Sequence, residues 1–263
     1  GRVAWESLTH MAIQLGDNDQ LEELASALEK RQCSFGASPD APIDCSRPEF
    51  AEQPLCRASG IRTAIEYRRA IELYEQAELL PPGDERTRLY ERSATLLVAA
   101  VNRTPDNPQA PIALEFAASA LVKTQRFESA SRLYQRIIDE VAPRRSDDPD
   151  EQRTLDNIVS NAYFQLAVSA NRFFDFDRAI TNYGILADSP RFANSTDPRI
   201  ITRRADAWVN TAIILEQLGR NREARTYYQR VHREVTDPET RRLALYRIAE
   251  ITYEESSGGT AGI

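Results

Sequence analysis

The chain has 263 residues, 41% hydrophobic and 28% charged, with 10 Gly and a net charge of −7. This balance excludes a disordered polymer, and mixed signs with an acidic excess exclude the basic face that nucleic-acid binding needs to displace counterions from phosphates. No apolar run, "ATLLVAAV" at 94–101 included, approaches the ~20 residues of a membrane span.

Ala, Leu, Glu and Arg dominate and all favour helices, so the expected fold class is all-α. Only Lys30 and Lys123 are lysines among the 33 basic residues. A GC-rich, bacterial coding sequence accounts for that bias more simply than a deliberate interface preference for Arg. A chain that starts with Gly1 is expected to be a processed or excised piece.

In chain order, a first helical hairpin is expected over about 2–31, where a resemblance given below rests on Trp5, Leu8, Ala12, Gly16, Leu21, Ala25 and Leu28. A Cys- and Pro-rich insertion over 33–60 then interrupts the helical periodicity. It holds all three cysteines, Cys33, Cys45 and Cys56. One disulfide, Cys45–Cys56 or Cys33–Cys45, is expected there, which suits an oxidising compartment. The competing reading is three reduced thiols in a cytosolic protein. No CxxC spacing or neighbouring His supports a metal site, and no metal or other cofactor is expected. His10 and His232 are expected on helix surfaces. The segment 61–103, broken by "PPGD", reads as a second hairpin.

Three stretches then repeat one pattern. Leu114, Ala118, Leu121, Ala130, Tyr134 and Ile137 recur as Tyr163, Ala167, Ala170, Ala179, Tyr183 and Leu186, and again as Trp208, Ala212, Leu215, Ala224, Tyr228 and Val231. Within each unit the offsets are identical, and they place the residues on one face of each of two helices. The alanines let the helices approach closely. The hairpins are expected over about 111–141, 160–188 and 205–234, with a capping helix at 241–254 and a flexible, linker-like tail at 256–263. Residues 1–255 would form a single domain. Gly219 suits a helix C-terminus with positive φ; Gln125 and Phe174 stand in its place in the other units and are expected to shape their turns differently. Ala130, Ala179 and Ala224 lie 49 and 45 residues apart, where a plain repeat takes ~34. The surplus, in "APRRSDDPDEQR" and "DSPRFANSTDPRIIT", means longer helices or protruding loops.

This pattern resembles the tetratricopeptide repeat, closest in "LGRNREARTYYQRV" at 218–231, and "TPDNPQAP" at 104–111 is similar to the family's inter-repeat junction. The N-terminal hairpin residues also fall in the family's slots. The resemblance implies an α-solenoid of stacked antiparallel helical hairpins with a concave groove for a peptide or partner protein. Groove positions carried over by motif are Glu115, Phe116 and Ser119; Asn161, Phe164, Gln165 and Val168; and Asp206, Val209, Asn210 and Ile213. Phe116 and Phe164 are either exposed anchors or packed against a neighbouring helix. Glu115 and Asp206 stand where a carboxylate clamp would need cations, so a partner with apolar and basic or amide side chains fits better.

No GxSxG, HExxH, GxxxxGK[ST] or GxGxxG occurs, and the in-register tyrosines read as packing residues. Asn102 and Asn194 open glycosylation triplets of a common kind. The expected function is a non-enzymatic interaction scaffold in a bacterial envelope complex, periplasmic or associated with the outer membrane. The alternatives are a recruiting or regulatory domain of a larger enzyme, and a cytoplasmic location.

Overall fold

The computed structural model describes residues 18–34 and 54–258. These form eleven helices and, among the described residues, no strand. The first helix of the N-terminal hairpin, His10 and most of the insertion lie outside the described residues, as do the side chain of Cys33, the whole of Cys45 and the tail from 259. Cys56 is buried.

The chain divides into two compact units, Gly1–Thr124 and Gln125–Ile263. The expected hairpin over 111–141 therefore has its helices in different units, and each is described with its own. The first unit contains α1 (Asn18–Ser34), α2 (Pro54–Leu79), α3 (Asp84–Arg103) and α4 (Ala110–Lys123). Each helix packs on the next in sequence, and α4 also touches α2. The break between α2 and α3 is "LPPG", where a proline ring and a missing N–H end the helical ladder. Ser93 on α3 donates a buried 2.6 Å hydrogen bond to the Ala70 carbonyl on α2. Leu97, Ala100 and Val101 complete the buried face of α3.

The second unit contains α5 (Phe127–Glu140), α6 (Pro149–Arg172), α7 (Phe176–Asp188), the single turn α8 (Pro190–Ala193), α9 (Pro198–Gln217), α10 (Asn221–Glu234) and α11 (Pro238–Gly258). Consecutive long helices pack on one another, and α9 also reaches α6. This neighbour-to-neighbour packing is the organisation of an α-solenoid. The repeated small positions are shut from solvent: Ala167, Ala179, Ala212 and Ala224 are 0% exposed. Tyr134, Tyr183 and Tyr228 are buried beside them.

The turns correct one expectation. Gln125 and Phe174 do not avoid the conformation of Gly219; they adopt it, at φ 61°, 61° and 71°. In the α6–α7 turn the Asp175 N–H bonds the Ala170 carbonyl at 2.9 Å and the Phe174 N–H bonds Asn171 at 3.0 Å. In the α9–α10 turn Arg220 bonds Leu215 at 2.8 Å and Gly219 bonds Glu216 at 2.9 Å. Both are Schellman motifs, which satisfy the last carbonyls of a helix only if one residue is left-handed. Closing the hairpin outweighs the Cβ cost of roughly 1–2 kcal/mol at a non-glycine residue.

The surplus between repeats is mostly helix. α6 runs 24 residues and α9 runs 20. Each starts at an Asp–Pro pair: Asp148 accepts from the Asp150 and Glu151 N–H groups, and Asp197 accepts from Arg199. Asp237 caps α11 in the same manner, accepting from the Thr240 N–H at 2.8 Å. An Asp N-cap followed by Pro combines the cap acceptor with a ring already at helical φ. The short helix α8 drives Phe192 into the core, 1% exposed.

The extended N-terminal half of α9 docks on α6 through a buried polar cluster. Asn157 donates to Asp197 at 3.0 Å, and Arg203 donates to Asn157 Oδ1 at 2.6 Å and to Ser160 Oγ at 3.0 Å. Asn157, Ser160 and Asp197 are all buried, so their partners also remove a desolvation cost that each would carry alone.

Candidate protein-interaction surface

In the second unit the expected positions lie on α6 and α9, two helices that pack on one another. Asn161, Phe164, Gln165 and Val168 on α6 are half-buried, as are Val209 and Asn210 on α9; Asp206 and Ile213 are exposed. None of the eight is fully buried. Their neighbours Ala162, Leu166, Ala167, Ala207, Trp208 and Ala212 are buried, because a helix that buries one stripe must present another.

Tyr183 on α7 faces residues of both neighbouring helices here. Phe164 on α6 meets the ring of Tyr183 on α7 edge-on, with centroids 5.6 Å apart. Asn210 on α9 lies close enough to the Tyr183 hydroxyl to act on its ionisation. Burial pushes the Tyr183 phenol up to about 12, partly offset by Asn210. Burial likewise raises the Asp206 carboxyl above the ordinary carboxylate range. The chemistry on offer is one aromatic edge, amides, two aliphatic groups and a carboxylate held in a partly desolvated position.

Beside Asp206 a cleft of about 360 Å³ is bordered by Ile201, Arg204, Trp208, Glu234 and Asp237. Its wall is rigid. Arg204 and Arg230 stack over Trp208 at 5.3 and 4.5 Å. Arg204 is also held by the carbonyls of Ala187 and Ala193, at 3.2 and 3.0 Å. Burial and the nearby Arg230 lower the pKa of Arg204. The indole Nε1 of Trp208 is buried with no hydrogen-bond partner.

In the first unit the corresponding positions on α4 are partly covered. Phe116 packs edge-on against Tyr74 of α2 at 5.1 Å, and the Tyr74 hydroxyl lies 2.9 Å from Ser119 Oγ. Glu115 is half-buried on the same helix. Both phenylalanines therefore contact a neighbouring helix while keeping part of their surface open.

A second tyrosine motif was not anticipated. Tyr228 donates to Glu216 at 2.7 Å, and Arg247 from the following helix donates to the same carboxylate at 2.8 Å. Tyr90 donates to Glu78 in the first unit, and Lys123 from the following helix pairs with Glu78 at 2.9 Å. In these two places a helical hairpin is thus tied to the next helix through one carboxylate. The spacing of 12 between Glu and Tyr in both places was the available signal.

Among the described residues, no group of three or more His, Cys, Asp or Glu side chains is placed to hold a metal ion. No described helix is long and apolar enough to cross a membrane. His232 sits half-buried near the end of α10, with Nδ1 3.4 Å from the Arg241 carbonyl.

The family model for the tetratricopeptide repeat matches residues 206–235, which covers most of α9 and all of α10. No curated protein matches the chain. Repeats of this family are in general non-enzymatic modules of protein–protein interaction. The matched repeat at 206–235 and the neighbouring helices packed in sequence around it support a protein of the tetratricopeptide-repeat type.

Proposed function

We propose that the chain is a scaffold that takes an extended segment of a partner protein across the α6–α9 surface, within a bacterial envelope complex. The observation that carries this reading is the set of eight side chains on two packed helices, Asn161 to Ile213, none of them fully buried, beside buried alanines. Amides and aliphatic groups at that density suit main-chain and apolar contacts with a peptide. Asp206, open to solvent yet with its carboxyl raised by the burial around it, favours a partner with a basic or amide group opposite it. An oxidising compartment and one disulfide, Cys45–Cys56 or Cys33–Cys45, belong to the same proposal.

Affinity capture from a cell-envelope extract tests it, with the wild-type chain beside an Asp206→Lys/Ile213→Lys variant. Loss of specific partners in the variant is the expected result. Identical partner sets would remove α6–α9 as the binding surface. Titration of thiols in the unreduced, denatured protein tests the compartment, since three free thiols per chain would end the disulfide proposal.

A further inference from the structure

The last described helix, α11, is expected to cap the array, and a cap presents a polar outer face. Its inner face is ordinary: Ala244 and Ile251 are buried at 1% and 2% exposed, and α11 packs on α10. The outer face is only partly polar. Leu243, Tyr246 and Tyr253 are 51%, 59% and 73% exposed, and Ala249 lies open between them. Spacings of three and four residues align these four in one stripe along the helix, and exposed Leu245 widens it. Large apolar groups concentrated on one helix face mark an interaction surface more than scattered ones do.

The charges of α11 say what fits it. The N-terminal half carries Arg241, Arg242 and Arg247 against one Glu239, and the C-terminal half carries Glu250, Glu254 and Glu255 with no cation. A helix with this polarity is complementary to itself when reversed. In an antiparallel pair with a two-fold axis at the level of Ile248, Arg242 stands opposite Glu254, Leu243 opposite Tyr253 and Tyr246 opposite Glu250. A parallel pair would set like charges side by side. The flanking groups are available for this. Arg242 pairs only locally with Glu239, with both side chains well exposed, and Glu254 is exposed.

We infer that a second copy of this chain covers the stripe, giving a two-fold dimer through antiparallel α11 helices. A two-fold contact is isologous, so every Arg242–Glu254 contact occurs twice and each substitution acts twice. The surface is separate from the α6–α9 face, and the dimer stands or falls independently of the proposed function.

Sedimentation equilibrium of the full chain, from low micromolar to near-millimolar concentration, tests it. A reversible rise toward twice the 29.7 kDa chain mass is expected. Arg242→Glu and Glu254→Arg should each weaken the dimer by about tenfold, and the double exchange should restore it to within about threefold. Leu243→Ser/Tyr253→Ser should leave a monomer with unchanged helical content and melting, since both residues are exposed. A wild-type monomer at every concentration overturns the inference and leaves the stripe to another occupant. A dimer that ignores the single exchanges, or that the double exchange fails to restore, overturns it as well.

Discussion

Phe174 and Gly219 hold equivalent turns and share one backbone conformation, at φ 61° and 71°. The relationship is not one of residue type, since the two side chains have nothing in common. It follows from the hairpin: a helix that must reverse within three residues needs a left-handed residue to complete its Schellman bonds.

The turn is therefore a place to gain stability. Phe174 is 79% exposed, and its main ring contact is with Phe176 at 6.1 Å, so little packing is lost with it. Phe174→Gly should stabilise the protein by roughly 0.5–1 kcal/mol. Gly219→Ala should destabilise it by about 1 kcal/mol through backbone strain alone, because no atom lies within 4 Å of the added Cβ. Urea unfolding of both variants checks the pair of opposite signs.

Close approach of the helices depends on the alanines at the crossings. Ala212 and Ala224 are 0% exposed, so a larger side chain has no space to enter. Ala212→Leu or Ala224→Leu should cost about 1–3 kcal/mol by overpacking, while Ala249→Leu on the open face of α11 should change the monomer's stability little. Thermal unfolding at low protein concentration separates the two cases.

Asp197 caps α9 and accepts from the buried Asn157. Asp197→Ala removes both partners at once and should cost about 2–3 kcal/mol. Asp197→Asn keeps a cap acceptor and should cost less. The same unfolding titration ranks them, and equal losses would show that the cap carries nothing.

The Tyr183 hydroxyl predicts a specific alkaline weakness. Its folded-state pKa is pushed up to about 12 by burial, above the unfolded value near 10. Folding therefore favours the protonated phenol, and that stability is intact below about pH 10 and lost as the pH rises through 12. The loss is of order 2–3 kcal/mol at about 1.4 kcal/mol per pKa unit. Tyr183→Phe should flatten the fall between pH 10 and 12; Tyr228, raised by burial and by Glu216, accounts for part of the slope that remains. Denaturant midpoints at pH 9, 10, 11 and 12 give the comparison.

The repeated alanines and tyrosines were legible in the sequence because helical spacing and side-chain size are local properties, and the burial of Ala179, Tyr183, Ala224 and Tyr228 follows from them. The long first helices were half legible. Asp148–Pro149 and Asp197–Pro198 are helix-start signals, yet they lay in stretches whose charge and prolines also fit a loop. The left-handed Gln125 and Phe174 were not legible, since neither residue type prefers that conformation. Nor was the Phe164–Tyr183–Asn210 link: it joins three helices, and spacing within one helix says nothing about which ring meets which amide.

Sequence by itself determined the helical class, the repeat register and the faces that must be buried, because these depend on propensity and periodicity along a single helix. Tertiary structure alone decided the strained turns, the polar cluster between α6 and α9, the partial covering of Phe116 by Tyr74 and the apolar outer face of α11. The turns are local but take their strain from the hairpin they close; the others are contacts, or the want of one, between segments distant in the chain, whose energy exists only once the helices are packed.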